Sequence, residues 1–149
     1  MVQGTPFLLL LCLALVASGF PFPKCVLTGT WINDLHSTMV IGAVDNGGNF
    51  NGVYHTAVTA TSNKILKSPL KGSQHSANTK SQPTFGFTVN WNFSDSVTVF
   101  TGQCFVDKNG KEVLKTMWLL RSHADTIGDD WKATLVGTNV FRRTQHEKE

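Results

Sequence analysis

Residues Thr84 to Phe93 alternate without a break. Phe85, Phe87, Val89, Trp91 and Phe93 take one parity, and Thr84, Gly86, Thr88, Asn90 and Asn92 take the other. A two-residue period places one set on each face of an extended strand, so this segment reads as a half-buried β-strand. Seven further runs share the character: Leu27–Asn33, Thr38–Val44, Gly52–Ala60, Leu66–Gly72, Ser96–Val106, Glu112–Arg121 and Lys132–Phe141. Between them lie turn formers, notably Asp45-Asn46-Gly47-Gly48, Thr61-Ser62-Asn63, Ser94-Asp95 and Asp107-Lys108-Asn109-Gly110. Such residues accept positive φ or bond back to their own backbone. No segment sustains helical spacing, and Ala124–Trp131 holds one turn of helix at most. Eight short strands with hairpin-length links predict an all-β chain, either an antiparallel up-and-down barrel or a sandwich. The barrel is favoured, because closure removes the two exposed edges and Trp31 lies too near Cys25 for an immunoglobulin pattern.

The first residues are of another kind. Phe7 to Val16 is an unbroken apolar run, too short for a membrane span and suited to a signal-peptide core. Ala17-Ser18-Gly19 reads as its cleavage site. The expected organisation is a signal peptide at 1–19 and one barrel domain at 20–149, secreted and without a membrane anchor. Secretion makes a Cys25–Cys104 disulfide the default. Their separation of 79 positions closes a long loop, worth about 4–5 kcal/mol in the chain-entropy account.

Strand parity also sorts the polar residues. Trp31, Asn33 and Leu35 share a face, as do Tyr54, Thr56 and Val58, then Ser96, Thr98 and Phe100, then Trp118 and Leu120. A purely structural core avoids such mixtures, since a buried hydroxyl or amide costs stability unless paired. Their repetition predicts a cavity lined by rings and hydrogen-bonding groups, shaped for a small ligand with a polar, uncharged head. Catalysis finds no support. The five histidines are scattered, and no nucleophile elbow, metalloprotease, P-loop or dinucleotide motif is present. Asp107–Gly110 lacks the ligands of a calcium loop, the cysteines lack a histidine pair for zinc, and Asp129-Asp130 reads as a solvated surface pair. A net charge of +3 from dispersed Lys and Arg does not imply nucleic acid. No metal or cofactor is expected.

Several segments resemble the avidins. They are Leu27–Leu35 (LTGTWINDL), Thr56–Asn63 (TAVTATSN), Gln82–Trp91 (QPTFGFTVNW), Thr98–Cys104 (TVFTGQC), Asn109–Ser122 (NGKEVLKTMWLLRS) and Asp129–Thr134 (DDWKAT). The resemblance runs from Lys24 to Glu149. It implies an eight-stranded barrel that binds biotin and assembles as a homotetramer. Carried over by position, Asn33, Ser37 and Tyr54 donate to the ureido oxygen, while Thr56 and Asn139 accept from the ureido N–H groups. Thr98 faces the ring sulfur, and Trp91, Phe93, Phe100 and Trp118 enclose the apolar ring and chain. Thr59, Ala60, Thr61, Ser94 and Ser96 hold the carboxylate near the mouth, and Trp131 reaches a neighbouring subunit's pocket.

The chain departs from the family pattern at His36, where Gly is expected, at Thr138, where Ile is expected, and at Leu135, where Arg is expected. Asn92-Phe93-Ser94 is the single N-glycosylation sequon, which places a glycan near the mouth. The competing reading is a lipocalin-like carrier of a small apolar ligand, suggested by Gly29-Thr30-Trp31. It rests on three residues and requires a greasier interior and a late helix.

Overall fold

The computed structural model describes residues 23–59, 61–75 and 81–144. The expected signal peptide and Ala60 lie outside them. Eight strands form: β1 (Gly29–Asn33), β2 (Thr38–Ile41), β3 (Asn49–His55), β4 (Ser68–Gln74), β5 (Thr84–Asn90), β6 (Ser96–Val106), β7 (Glu112–Ser122) and β8 (Thr134–Arg143). Each pairs antiparallel with its neighbour in sequence, and β8 returns to β1 through Trp31 opposite Arg143. The result is the closed up-and-down barrel, with every described strand paired on both sides.

The expected runs each hold a strand, with shifted ends. The third begins at Asn49 instead of Gly52, because the Asp45 carboxylate accepts the Asn49 and Gly47 N–H groups and squares off the preceding turn. It ends at His55 instead of Ala60. Thr56 Oγ1 donates to the Val58 carbonyl at 2.6 Å and turns the chain out of the ladder. The last begins at Thr134, since Ile127–Lys132 forms a 3₁₀ turn, η1. Asp129 and Asp130 therefore sit on a helical turn and not on extended chain. They pair with Lys132 and Arg121 respectively. Asp107 to Gly110 is a tight turn between β6 and β7, with Gly110 at φ 76°.

One end of the barrel is filled. Trp31, Phe50, Leu70, Phe85, Phe87, Leu114 and Phe141 are buried there or along the axis, each contributing about 1.5–3 kcal/mol by leaving water. Phe87 and Phe100 stack with centroids 4.6 Å apart. Trp31 donates its indole N–H to the Leu27 carbonyl at 2.8 Å, and the Arg143 guanidinium lies 4.0 Å over its ring. The same guanidinium bonds Glu112 and the Val26 and Thr28 carbonyls. The Cys25–Cys104 disulfide, with Cα atoms 5.6 Å apart, ties the entering chain to β6. The opposite end carries the β1–β2, β3–β4, β5–β6 and β7–β8 connections, and here the barrel is open.

Candidate ligand-binding site

The open end leads into a cavity of about 400 Å³. Its lining includes Asn33, Ser37, Tyr54, Thr56, Thr98 and Asn139 at depth, with Trp91, Phe93, Phe100 and Trp118 as walls. Thr59, Thr61, Ser94 and Ser96 lie toward the mouth. The parity argument thus finds its cavity, since five strands, β1, β3, β6, β7 and β8, contribute inward residues to it.

At the inner end, bonds made behind each polar group decide what it offers in front. Asn33 Oδ1 accepts the Leu35 and Ser37 backbone N–H groups at 3.0 and 2.9 Å. Backbone N–H groups only donate, so the Asn33 amide nitrogen must face the cavity as a donor. Ser37 Oγ accepts the Ala57 N–H at 2.9 Å, which leaves its hydrogen to give. Its 3.4 Å contact to Thr56 Oγ1 is long and readily exchanged. Tyr54 Oη receives Asn33 Nδ2 at 3.4 Å and keeps its own hydrogen. Burial, the largest influence, pushes this phenol well above its ordinary pKa, so it remains a donor. Thr56 spends its hydrogen on the Val58 carbonyl and presents only lone pairs.

Asn139 completes the set. Its amide nitrogen donates at 3.0 Å to Asp34, a carboxylate that only accepts, so Oδ1 is turned toward the cavity as an acceptor. Asp34 also accepts the Val140 N–H at 3.3 Å. The Asn139 bond, first among its influences, holds the Asp34 carboxyl below the usual aspartate range. The inner end therefore presents three donors flanked by two acceptors. An apolar ligand would strand these groups at about 1–3 kcal/mol each.

Above them, Trp91 donates its indole N–H to Thr98 Oγ1 at 2.8 Å, leaving the Thr98 hydrogen free. Tyr54 meets Trp91 edge-on at 5.4 Å, and Trp91 and Phe93 lie 5.5 Å apart. Trp118 owes its position to Gly137, its cross-strand partner: a Cβ there would overlap the indole. At the mouth, Ser94 and Ser96 share a 2.6 Å hydrogen bond, and Asn63 Nδ2 donates to the Phe93 carbonyl, joining two loops.

Among the described residues, Trp131 is the expected biotin-site residue that does not line this cavity. It lies on η1 and is 83% exposed. Asn92 also points away, on the outer surface beside Lys67. Asp95, Ser122 and His123 line the cavity without having been singled out from sequence. Ser122 extends the parity of Trp118 and Leu120 by one step and was legible. His123 lies beyond the strand end, where parity carries no information. Among the described residues, one group of metal-ligand types occurs, Cys25, Cys104 and Glu112. Its sulfurs are joined in the disulfide and Glu112 is engaged by Arg143, so it offers no metal site.

The whole-chain comparisons agree with this architecture. The avidin family model matches residues 22–144. Avidin from Gallus gallus is 67% identical over 142 residues, covering 95% of this chain and 93% of that protein. Avidin-related protein 1 from the same organism is 61% identical over the same shares. The solved structure of a biotin binding protein from chicken superposes with a TM-score of 0.78 at 60% identity, covering 81% of this chain and 99% of that one. The segments that resembled the avidins thus belong to a match extending through the barrel, and the chain is a member of the avidin family.

Proposed function

We propose that this protein binds biotin as a secreted, non-catalytic vitamin-sequestering or storing protein. The observation that carries the reading is the fixed polarity of the inner cavity. Asn33, Ser37 and Tyr54 are held as donors while Thr56 and Asn139 are held as acceptors. A cyclic urea is the complement of that pattern, one carbonyl oxygen flanked by two N–H groups. Three donors on one oxygen favour its polarised form, as an oxyanion hole does. Thr98 then offers a hydrogen to the ring sulfur, and Trp91, Phe93, Phe100 and Trp118 enclose the apolar part. Thr59, Thr61, Ser94 and Ser96 receive the carboxylate at the mouth. A relative whose solved structure bears the name of a biotin binding protein supports the same assignment.

The same reading makes the protein a homotetramer. Met117 and Leu119 on β7 and Val136 on β8 stand exposed on the outer face, Leu119 directly opposite Val136. Trp131, on η1, is exposed as well. A second copy covers such a face, and Trp131 then closes a neighbour's cavity. The apolar leader and the disulfide support secretion. Asn92 bonds the Lys67 carbonyl through one amide hydrogen and keeps the other position for a glycan on the outer surface.

A melting curve with and without biotin tests the function. A ligand that binds only the folded state stabilises it by about 4 kcal/mol at a thousandfold excess over its dissociation constant. A large upward shift is expected. An unchanged midpoint in folded, biotin-free protein would overturn the reading.

A further inference from the structure

The mouth of the cavity has two chemically different sides. Its rim is built by the β1–β2, β3–β4, β5–β6 and β7–β8 connections, which follow one another around the closed barrel. The β5–β6 side is polar: Ser94 and Ser96 face the cavity there, joined by their 2.6 Å hydrogen bond. The β1–β2 connection lies across the ring from it and presents Leu35, and Val58 follows from β3–β4. Both line the cavity, yet they stay 47% and 51% exposed. On the other flank of β1, Leu120 of β7 lines the cavity, and its cross-strand partner is Leu135 of β8. Cross-strand partners share a face of the sheet. Leu135 also has the parity of Gly137 and Asn139, so it continues the cavity wall outward, where it is 54% exposed. Leu119 and Val136 take the opposite parity and stand on the outer face. Because β8 closes on β1, Leu120, Leu135, Leu35 and Val58 succeed one another as an apolar arc facing the serines.

We propose that this arc is a subsite for an apolar group attached beyond the carboxyl carbon of the ligand, and that Leu135 is its specificity-determining residue. This rests on the biotin reading. The tail of free biotin ends at the serines and leaves the arc in water. Exposed aliphatic side chains bordering a cavity mark a place where further apolar surface can be covered. An amide of biotin with an alkyl amine keeps the carbonyl oxygen that accepts from the serine hydroxyls, and its alkyl chain falls to the facing arc. Leu135 decides the preference because the sequence pattern of the family puts arginine there. Leucine offers apolar surface without a charged head that must stay hydrated. The ligand class is therefore biotin in amide linkage to an aliphatic group, preferred over an equally long polar one.

The test compares two neutral amides of biotin with side arms of equal length, N-hexylbiotinamide and N-[2-(2-hydroxyethoxy)ethyl]biotinamide. Dissociation rates of both are measured from the full-length protein, for the parent, for Leu135→Ser and for Leu135→Met. A fully buried methylene is worth about fourfold in binding, so a hexyl chain covered over about a third of its length gains about tenfold. The polar amide should therefore leave the parent about tenfold faster than the hexyl amide. That ratio should fall about threefold in Leu135→Ser and be kept in Leu135→Met, which preserves apolar volume. A thermal melt of each variant reads its fold separately. Equal rates for the two amides in the parent overturn the subsite while leaving the biotin reading intact. A ratio that is the same in Leu135→Ser as in the parent overturns the role of Leu135. Failure of biotin itself to bind the folded parent overturns the biotin reading and this inference with it.

Discussion

At Asn139 the direction of one amide decides what the cavity can recognise. Its oxygen faces inward because its nitrogen is committed to Asp34, an exposed residue outside the cavity lining. Asp34 is thus a positioning residue. Asp34→Ala should speed biotin dissociation about tenfold or more, the usual worth of a hydrogen bond to a charged group, with little change in melting temperature. Acid should reach the same bond. A carboxyl whose folded pKa is depressed contributes in full above its unfolded value, near 4, and loses that contribution as pH falls through the folded value. Dissociation from the parent should therefore accelerate below about pH 4. Asp34→Asn, which still accepts but does not titrate, should lose that part of the acceleration. Equal acid profiles for the two proteins would remove Asp34 from this role.

Between elements, the register of β7 on β8 shapes the cavity wall. Trp118 faces Gly137, and that glycine is the space the indole occupies. Gly137→Ala should drive the ring toward the ligand volume and cost about 1–3 kcal/mol by overpacking. The barrel should survive, read by a cooperative melt, while biotin binding weakens; an unchanged titration would show that the ring adapts. The β1–β2 connection carries a second constraint. His36 has φ 65°, the one left-handed residue other than glycine among the described residues. That conformation explains why glycine was expected there. It also shows how the chain retains the loop with a histidine in place: the Asn33 side chain caps the Leu35 and Ser37 N–H groups across the turn.

The whole molecule joins a filled end to an open one. The disulfide, the Arg143 clamp and the aromatic stack hold one end rigid. Little ordering is then left to oppose binding at the other, which is the physical basis of high affinity in a preformed site. In the proposed assembly, Trp131 belongs to the neighbour's site and not to its own. Trp131→Lys should therefore lower the tetramer fraction in static light scattering and speed biotin release together. A tetramer of unchanged mass that retains biotin as tightly as the parent would remove Trp131 from both roles.

Period-two alternation is local, so the sequence alone determined the eight strands, their order, the cavity-facing parity and the turns at Asp45 and Asp107. It also determined Asn33, Tyr54, Thr56, Ser96, Thr98, Phe100 and Trp118 as members of mixed faces, because each lies within or beside a readable strand. Ser37, Asn139 and Trp131 came only from the family resemblance. His123 came from neither, because a residue past a strand end has no parity to betray it. Strand ends were also decided by contacts that lie outside the alternation, such as the Thr56 bond to Val58 and the 3₁₀ turn before β8. Only the closed barrel decided the polarity of each site group. Asp34 and Asn139 are 105 positions apart in the chain, and the hydrogen bond that turns the amide exists only once β8 has closed against the segment that follows β1.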